Sequence, residues 1–477
     1  MTIAHEAWLP DLSRHQGPLY RSIADALEAD VASGGLAAGT RLPTHRDLAW
    51  KLKVTVGTVS RAYREAERRG LIGGEVGRGT YVRAAERPAA GFSGKLAEWY
   101  MQESDVAAPG GPVPLNFNFP PDVDEADAFR RTMAEIMAGP QLPELLRYTQ
   151  HAGLETHRRA GAEWMKERGL AADPQQVVVT TGAHNGILVS LAATTRPGDT
   201  ILTEALSYPG IKPVARMFGL KLMPVAMDQE GVRPDALEEA ARSCDARAFY
   251  TVPTLQNPTN RTLSADRRRR IAEVARKMDF AVIEDDLLGM LPQSAPPPIA
   301  EFLPERTFYI LSASKLLGPG LRIGFVLAPP DQVAHVGAAI RASNWMAPPI
   351  LAELVARWIA DGTAKYLVEA RRKEIRARHA VLRRVLMGQP MDMPDGALHA
   401  WLHLGPERTP AELVAEALTA GVSLSPADAF CIGRTPVPQG IRICIGPPRD
   451  RAHLELGVTR LKQVLDRRVP LYSGTTM

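Results

Sequence analysis

The residue in this 477-residue sequence best equipped for covalent chemistry is a lysine set between serines and glycines at the end of an apolar run. Ser312-Ala313-Ser314-Lys315 follows FYILS (308–312) and leads through GPG into Leu321-Arg322-Ile323-Gly324. A lysine amine forms Schiff bases when a neighbouring cation and partial burial lower its pKa. Arg322 can grip a phosphate bidentately while the Ser312 hydroxyl donates a hydrogen bond to it. On its own, such a lysine is more often a surface residue on a loop, so the motif gains weight only from its company.

That company consists of four further features. Ile283-Glu284-Asp285-Asp286 closes a second apolar run, where a buried carboxylate needs a cationic partner such as a protonated pyridine nitrogen. Its bland alternative is a helix N-cap. Asn257, in QNPTN after the run FYTVP (249–253), is placed to hydrogen-bond a phenolate oxygen or simply to make an Asn-Pro turn. Thr181-Gly182-Ala183-His184-Asn185 joins the run 177–181 to a helix, so the amides of Ala183 and His184 can cup a phosphate. Tyr208 follows the run 200–204 and can stack on a flat ring or pack as an ordinary core tyrosine.

A different chemistry is concentrated near the N-terminus. Residues 41–83 hold ten Lys/Arg against four Asp/Glu, a local +6, while residues 88–477 hold 44 against 43, a sum of only +1. A short basic segment on a neutral body points to a polyanion contact. Within it, Thr44 is the expected N-cap of a short helix and Thr55 that of a longer one reaching Arg69. Val59, Ala62 and Ala66 form the buried face of the longer helix, while Thr58, Arg61 and Arg64 stud its other side, as in a helix-turn-helix whose second helix enters the major groove. LIGGEVGRGTYV then alternates and turns at Gly77-Arg78-Gly79, a hairpin wing with a cation at its tip.

These residues need elements to position them. Leu19, Ile23, Ala26, Leu27 and Val31 recur at helical spacing over 18–32. Residues 84–114 are rich in Ala, Pro and Gly and read as a linker with a short helix around Trp99. From Leu115 onward apolar runs at 177–181, 200–204, 249–253, 280–285, 308–312 and 323–328 alternate with helical segments, and their lack of period-2 alternation predicts a parallel sheet buried on both faces. After Pro330 the pattern is helical to about residue 388 and then mixed. The expected domains are 1–83, the linker 84–114, and 115–477, with a large part at about 125–330 and a small one at about 331–477.

Composition excludes other classes: 45% hydrophobic and 23% charged residues suit a globular protein. Cys244, Cys431 and Cys444 form no CxxC, so neither a disulfide scaffold nor a metal site is expected. His399 and His403 sit in HAWLH, which alternates like a strand, and are read as structural. No apolar run approaches a membrane span, and the start of the chain (His5, Glu6, Asp11) lacks a signal-peptide core. A reducing cytoplasm is the expected compartment.

About 65 residues of the 1–83 segment resemble the winged helix-turn-helix of GntR-type bacterial regulators, with Arg46, Thr55, Thr58, Gly77, Arg78 and Thr80 matching. Val56 and Ser60 depart from it, standing where many members carry arginines, so the resemblance implies phosphate anchoring by Arg46, Arg61 and Arg64 more than base readout. Residues 115–477 resemble the fold-type I pyridoxal-phosphate enzymes of the aspartate aminotransferase group. That likeness implies Lys315 as the Schiff-base lysine, Asp285 as the pyridinium partner (Asp285 matching the first Asp of the family's D-D-x-Y), and Asn257 at the 3-hydroxyl. It further implies Tyr208 on the ring and Ala183, His184, Ser312 and Arg322 at the phosphate. Tyr148 matches the residue that reaches the neighbouring subunit's phosphate, and Arg442, in GIRICIG, the one that holds a ligand α-carboxylate. Three positions depart: Leu287 and Leu288 replace the usual tyrosine, Asn260 the usual glycine, and Ala183 a common serine.

Both halves in one chain are similar to the MocR subfamily. This implies an α+β winged helix-turn-helix followed by an α/β pyridoxal-phosphate transferase fold with a mostly parallel sheet, bound to double-stranded DNA as a head-to-tail homodimer. It also implies a cytoplasmic regulator that senses an amine, an amino acid or pyridoxal phosphate itself through exchange at Lys315. The alternative is a working aminotransferase with an ancillary DNA-binding module.

Overall fold

The computed structural model describes residues 8–12, 18–32, 35–36, 39–68, 71–75, 79–82 and 110–467. The chain divides into two compact units, Met1–Glu98 and Trp99–Met477.

The first unit holds helices α1 (Leu19–Ala32), α2 (His45–Leu52) and α3 (Val56–Arg68) and an antiparallel hairpin of β1 (Ile72–Glu75) and β2 (Gly79–Val82). The Thr44 side chain accepts from Asp47 N, and Lys53 closes α2 in the left-handed conformation at φ 52°. Thr55 Oγ1 accepts from Thr58 N at 3.1 Å, as its capping role requires. Ile23 and Leu27 of α1 share one buried cluster with Val59, Ala62 and Ala66 of α3. Leu19, read on the same apolar face, is instead 51% exposed as the first residue of its helix. Arg41 bridges to Tyr81 and so adds a third, short edge to the hairpin. Gly77 and Arg78, expected at the hairpin tip, Arg69, Arg83, the helix expected around Trp99 and residues 84–109 of the linker lie outside the described residues.

The second unit is built on a seven-stranded sheet. In chain order its strands are β4 (Val177–Thr180), β5 (Thr200–Glu204), β6 (Lys221–Val225), β7 (Ala246–Thr251), β8 (Ala281–Asp285), β9 (Thr307–Ser312) and β10 (Gly324–Leu327), preceded by a short β3 (Val113–Pro114) outside it. The spatial order is β4-β10-β9-β8-β7-β5-β6. Pairing is parallel except at β10, which runs antiparallel to both β9 and β4. The sheet is therefore mostly parallel, as expected, with one reversed strand, and β6 is a strand that sequence patterning did not mark.

Burial on both faces is visible residue by residue. Along β9, Phe308 and Ile310 join one core cluster while Tyr309 and Leu311 join another on the opposite face. Every residue of β9 is buried, so no polar alternation survives in its sequence. Helix α4 (Ala183–Thr194) lies on the first of these faces and α5 (Val333–Asn344) packs against it, with Ile187, Val336 and Ile340 in one cluster.

The C-terminal part contributes a three-stranded antiparallel sheet of β11 (Met391–Asp392), β12 (His399–His403) and β14 (Gly440–Cys444), while β13 (Val422–Ser423) pairs in parallel with β3. Two stretches cross the expected bounds. Val113 and Pro114, assigned to the linker, already belong to the second unit. Residues 333–344, assigned to the small part, complete a layer over the large sheet.

Candidate functional site

The candidate residues meet at one edge of the sheet. In β4, β5, β7, β8 and β9 the chain runs toward the same edge, which is where ligands bind in open α/β sheets. The reversed strand matters here. After Lys315 the chain turns and enters β10 in the opposite direction, so Arg322, two residues before β10 begins, stays at the same edge.

Lys315 rides on a single helical turn, Ala313–Leu316, capped by Ser312, whose Oγ accepts from Ser314 N at 3.2 Å. The Lys315 ammonium donates to the Asn118 carbonyl and lies 5.5 Å from the centre of the Phe119 ring. Ser312 itself is fully buried, and its hydroxyl donates to Ile323 O at 3.3 Å. The expected phosphate donor is thus turned into its own loop, because the tight turn needs that oxygen as a cap. Ser314 Oγ, 3.4 Å from Arg322 Nη1, is the hydroxyl beside the arginine.

Three successive acids at the end of β8 have three different fates. Glu284 accepts from the amides of Ile299 and Ala300 at 2.8 and 2.9 Å, with Arg268 at 3.7 Å. Asp286 is saturated by Arg168 Nε (2.8 Å), Tyr309 Oη (3.0 Å) and Thr254 Oγ1 (2.7 Å). Asp285 accepts from Tyr250 Oη at 2.9 Å through one oxygen, while its Oδ1 is buried without a hydrogen-bond partner. Burial pushes the Asp285 carboxyl up to about 7, against the Tyr250 hydrogen bond that lowers it. Of the two aspartates, only Asp285 has an open acceptor for an added cation.

At the other side of the edge, Gly182 begins α4 with φ 88°, and a Cβ there would come within 3.0 Å of the Arg322 guanidinium. Only glycine satisfies both conditions. The first helical bond runs from Gly186 N to Gly182 O at 3.1 Å, so the amides of Ala183 and His184 precede it at the positive end of the helix. Arg322 donates to Thr181 O at 3.1 Å and lies beside this cup. His184 makes an edge contact with Tyr208 (6.4 Å between ring centres), and burial, then Arg322, lowers its pKa. The Tyr208 ring lies over Gly210, where any Cβ would meet it at 2.3 Å.

Asn257 and Arg442 meet directly: Arg442 Nη1 donates to Asn257 Oδ1 at 2.8 Å. Arg442 is buried, donates through Nη2 to Asn116 O and to Ser425 Oγ (3.3 Å), and lies 4.7 Å from the Phe430 ring centre. Its Nε and the Asn116 Oδ1 are buried without partners. Sequence reasoning missed Asn116, Asn118, Phe119, Tyr250, Ser425 and Phe430. Tyr148 is not brought to this cluster. It is 82% exposed and packs on Trp345 at 5.7 Å between ring centres.

In the first unit, Arg46 at the start of α2 and Arg61 and Arg64 on α3 are exposed, and Thr58 is half-buried beside Thr55 (2.9 Å between hydroxyls). Arg61 also stacks over Tyr20 of α1 at 4.4 Å. Ser60 is bonded to His45 Nδ1 at 3.2 Å, so α2 and α3 present a shared polar face where arginines were absent.

Residues 113–461 match the family described as aminotransferase class I and II, and residues 19–82 match bacterial regulatory proteins of the gntR family. The chain belongs to the class I and II aminotransferase family, a family of pyridoxal-phosphate-dependent proteins, and carries a GntR-type DNA-binding unit at its N-terminus, the MocR arrangement. It is 29% identical over 462 residues to the uncharacterized HTH-type transcriptional regulator YdeF of Bacillus subtilis, covering 96% of this chain and 97% of that one. It is 28% identical to the vitamin B6 salvage pathway transcriptional repressor PtsJ of Salmonella typhimurium, covering 81% and 86%. Its fold matches the crystal structure of an archaeal alanine:glyoxylate aminotransferase with a TM-score of 0.70 at 24% identity, over 78% of this chain and 95% of that one. Among the described residues no helix is long and apolar enough to cross a membrane.

The lining fits pyridoxal phosphate. A buried open carboxylate oxygen, an amine on a capped turn, and a helix N-terminus beside an arginine and an obligatory glycine supply partners for its ring nitrogen, aldehyde and phosphate.

Proposed function

We propose that the protein is a DNA-binding transcriptional regulator that holds pyridoxal phosphate and responds to a small amine or amino acid, or to the cofactor itself, through exchange at Lys315. The observation that carries this reading is the open, buried Asp285 Oδ1 at the same sheet edge as Lys315, in a chain that also carries a DNA-binding unit. Bound there, pyridoxal phosphate supplies an aldehyde carbon that can carry either Lys315 or the amine of a ligand in its place.

This chain's own residues then divide the work. Asp285 would hold the ring nitrogen protonated, while Tyr250 fixes the carboxylate's other oxygen. Asn257 would meet the ring hydroxyl, Tyr208 would pack against the ring, and Arg322 with the Ala183 and His184 amides would take the phosphate. The Asn118 carbonyl accepts a hydrogen bond from the Lys315 ammonium and would be ready to receive the amine whenever it leaves the cofactor. A ligand carboxylate would be held by Arg442, whose Nε is the donor still open. On α2 and α3, Arg46, Arg61 and Arg64 would contact DNA phosphates, with Thr55, Thr58, Gly77 and Arg78 as further candidate contacts. Tyr148, exposed in one subunit, would complete the site of its partner in a head-to-tail dimer working in the cytoplasm. PtsJ's description as a vitamin B6 repressor supports pyridoxal phosphate as one candidate signal.

Leu287 and Leu288 favour a sensor over an enzyme: Leu288 is buried in the core, and neither offers the hydroxyl expected near the cofactor oxygen. The test follows the cofactor spectrum and affinity for the gene's own upstream DNA in the same samples while amines and amino acids are screened. A yellow protein that loses its band on Lys315→Ala, and an amine that changes both the spectrum and DNA affinity, are expected. Rapid multiple turnover with an amino acid and a keto acid, with DNA affinity unmoved, would establish the aminotransferase instead.

A further inference from the structure

Asn260 occupies a backbone conformation that favours glycine, φ 60°, and is almost completely buried. Its side chain does not serve its own turn. The amide Nδ2 donates to His399 O at 2.7 Å and to Asp392 O at 3.2 Å, reaching two strands of the C-terminal sheet, β12 and β11. The same turn receives two more bonds from that sheet. His399 Nε2 lies 3.0 Å from Pro258 O, and Arg442 of β14 donates to Asn257 Oδ1 at 2.8 Å. Burial, then Arg442, holds the His399 pKa well below its ordinary value, so the ring is neutral with Nε2–H as the donor to Pro258 O.

The shape of the turn is fixed without Asn260's side chain. Gln256 N donates to Arg261 O (2.8 Å), Asn260 N to Gln256 O (2.7 Å), and Thr259 N and Oγ1 both donate to Gln256 Oε1 (3.0 and 2.7 Å). Gln256 is tied in turn to Leu206 O, at 2.6 Å, in the loop that leads to Tyr208. The side chain of Asn260 therefore adds one thing only: a bridge to the C-terminal sheet. It does so while leaving its own Oδ1 buried and unpartnered, a cost that glycine would avoid.

We infer that Asn260 is a positioning residue, clasping the 256–260 turn to β11 and β12 so that Asn257 and Arg442 stay in register with each other and with whatever occupies the site. The clasp stands on geometry alone; its consequence for ligand binding rests on the pyridoxal-phosphate reading of that site.

Asn260→Gly is the decisive variant, because glycine accepts the same φ and removes both donors together with the stranded oxygen. Hydrogen exchange of the full-length, cofactor-free protein is compared first. Loss of two neutral hydrogen bonds should speed exchange across 391–403 by roughly tenfold or more, with little change in melting temperature. Unchanged exchange at 391–403, or a rise confined to 256–263, would show that glycine merely loosened its own turn and would overturn the clasp. Pyridoxal phosphate is then titrated by absorbance, and a dissociation constant raised about threefold or more is expected. Faster exchange with an unchanged dissociation constant would overturn the positioning role and leave a structural tie. If the unsubstituted protein takes up no pyridoxal phosphate, the cofactor reading and the positioning role fall together, while exchange still decides the clasp.

Discussion

Asp285 is the residue whose environment says most about its partner. Its carboxyl is raised from the ordinary 3.8 to about 7 by burial, so in the cofactor-free protein its charge destabilises folding progressively as pH rises from about 4 to about 7. Asp285→Asn keeps an acceptor for Tyr250 and removes that cost. The cofactor-free variant should melt higher than the unsubstituted protein at pH 8, by roughly 1–3 kcal/mol of stability, and the gap should close toward pH 4. Pyridoxal phosphate should bind it at least tenfold more weakly. Parallel melts and absorbance titrations check both, and a variant less stable at pH 8 would mean Asp285 is already paired in some other way. His379 works in the other direction. Burial lowers its pKa to about 4, so its contribution, present above its ordinary 6.5, is lost as pH falls toward 4. His379→Gln should flatten the acid side of the melting profile. Lys315, Asp285, Asn257 and Arg322 could be read from sequence because amine, carboxylate, amide and guanidinium chemistry each demand a residue type. Asn116 and Asn118 could not, since both act through backbone carbonyls that every residue has. Ser312 shows the same limit, because a capping hydroxyl and a phosphate-binding hydroxyl look alike in a sequence and here the hydroxyl caps its own turn.

At the scale of elements, apolar runs located six of the seven sheet strands because burial on both faces leaves continuous hydrophobic stretches. They could not show direction. Reversal of β10 is set by the tight turn from Lys315 to Arg322, whose conformation depends on Arg322 itself lying at φ 50°. The missed strand β6, KLMPV, sits at the sheet's edge with Lys221 exposed, so its pattern carries no core signature. The phosphate cup is the element most sensitive to one atom. Gly182→Ala combines a left-handed φ with a close approach to Arg322, and should weaken pyridoxal-phosphate binding tenfold or more while leaving the sheet intact. Absorbance titration beside far-ultraviolet circular dichroism separates the two outcomes. In the winged unit, the buried Tyr63 hydroxyl donates to Pro43 O at 2.9 Å and thereby fixes the entry to α2 against α3. Tyr63→Phe should cost about 1–2 kcal/mol, because the carbonyl is left buried and unsatisfied, and should lower DNA affinity with it. Retained affinity in a destabilised variant would show that α2 need not be held this way to contact DNA.

For the whole molecule, the uneven charge of the sequence becomes a division of labour that one pair of variants can test. The basic segment 41–83 lies in the GntR-type unit, whereas in the nearly neutral remainder the anion contacts proposed above are local, at Arg322 and Arg442. If one chain links a small-molecule site to a DNA site, each must be separable from the other yet coupled in the intact protein, since a ligand shifts DNA affinity only by binding two states differently. Arg46→Ala with Arg61→Ala should lower affinity for the gene's upstream DNA roughly tenfold and flatten its dependence on salt by about one unit of log–log slope for each phosphate no longer neutralised. The cofactor spectrum and its response to an active amine should stay as they were. Lys315→Ala should do the reverse, leaving DNA affinity near the unliganded value and its salt dependence unchanged while abolishing the band due to the lysine and with it the spectral change by which an amine displaces that lysine. Binding isotherms at several salt concentrations, with absorbance recorded on the same samples, give all four numbers. An amine that shifts the DNA affinity of the unsubstituted protein while leaving its cofactor spectrum unchanged would place the sensing step elsewhere in the molecule.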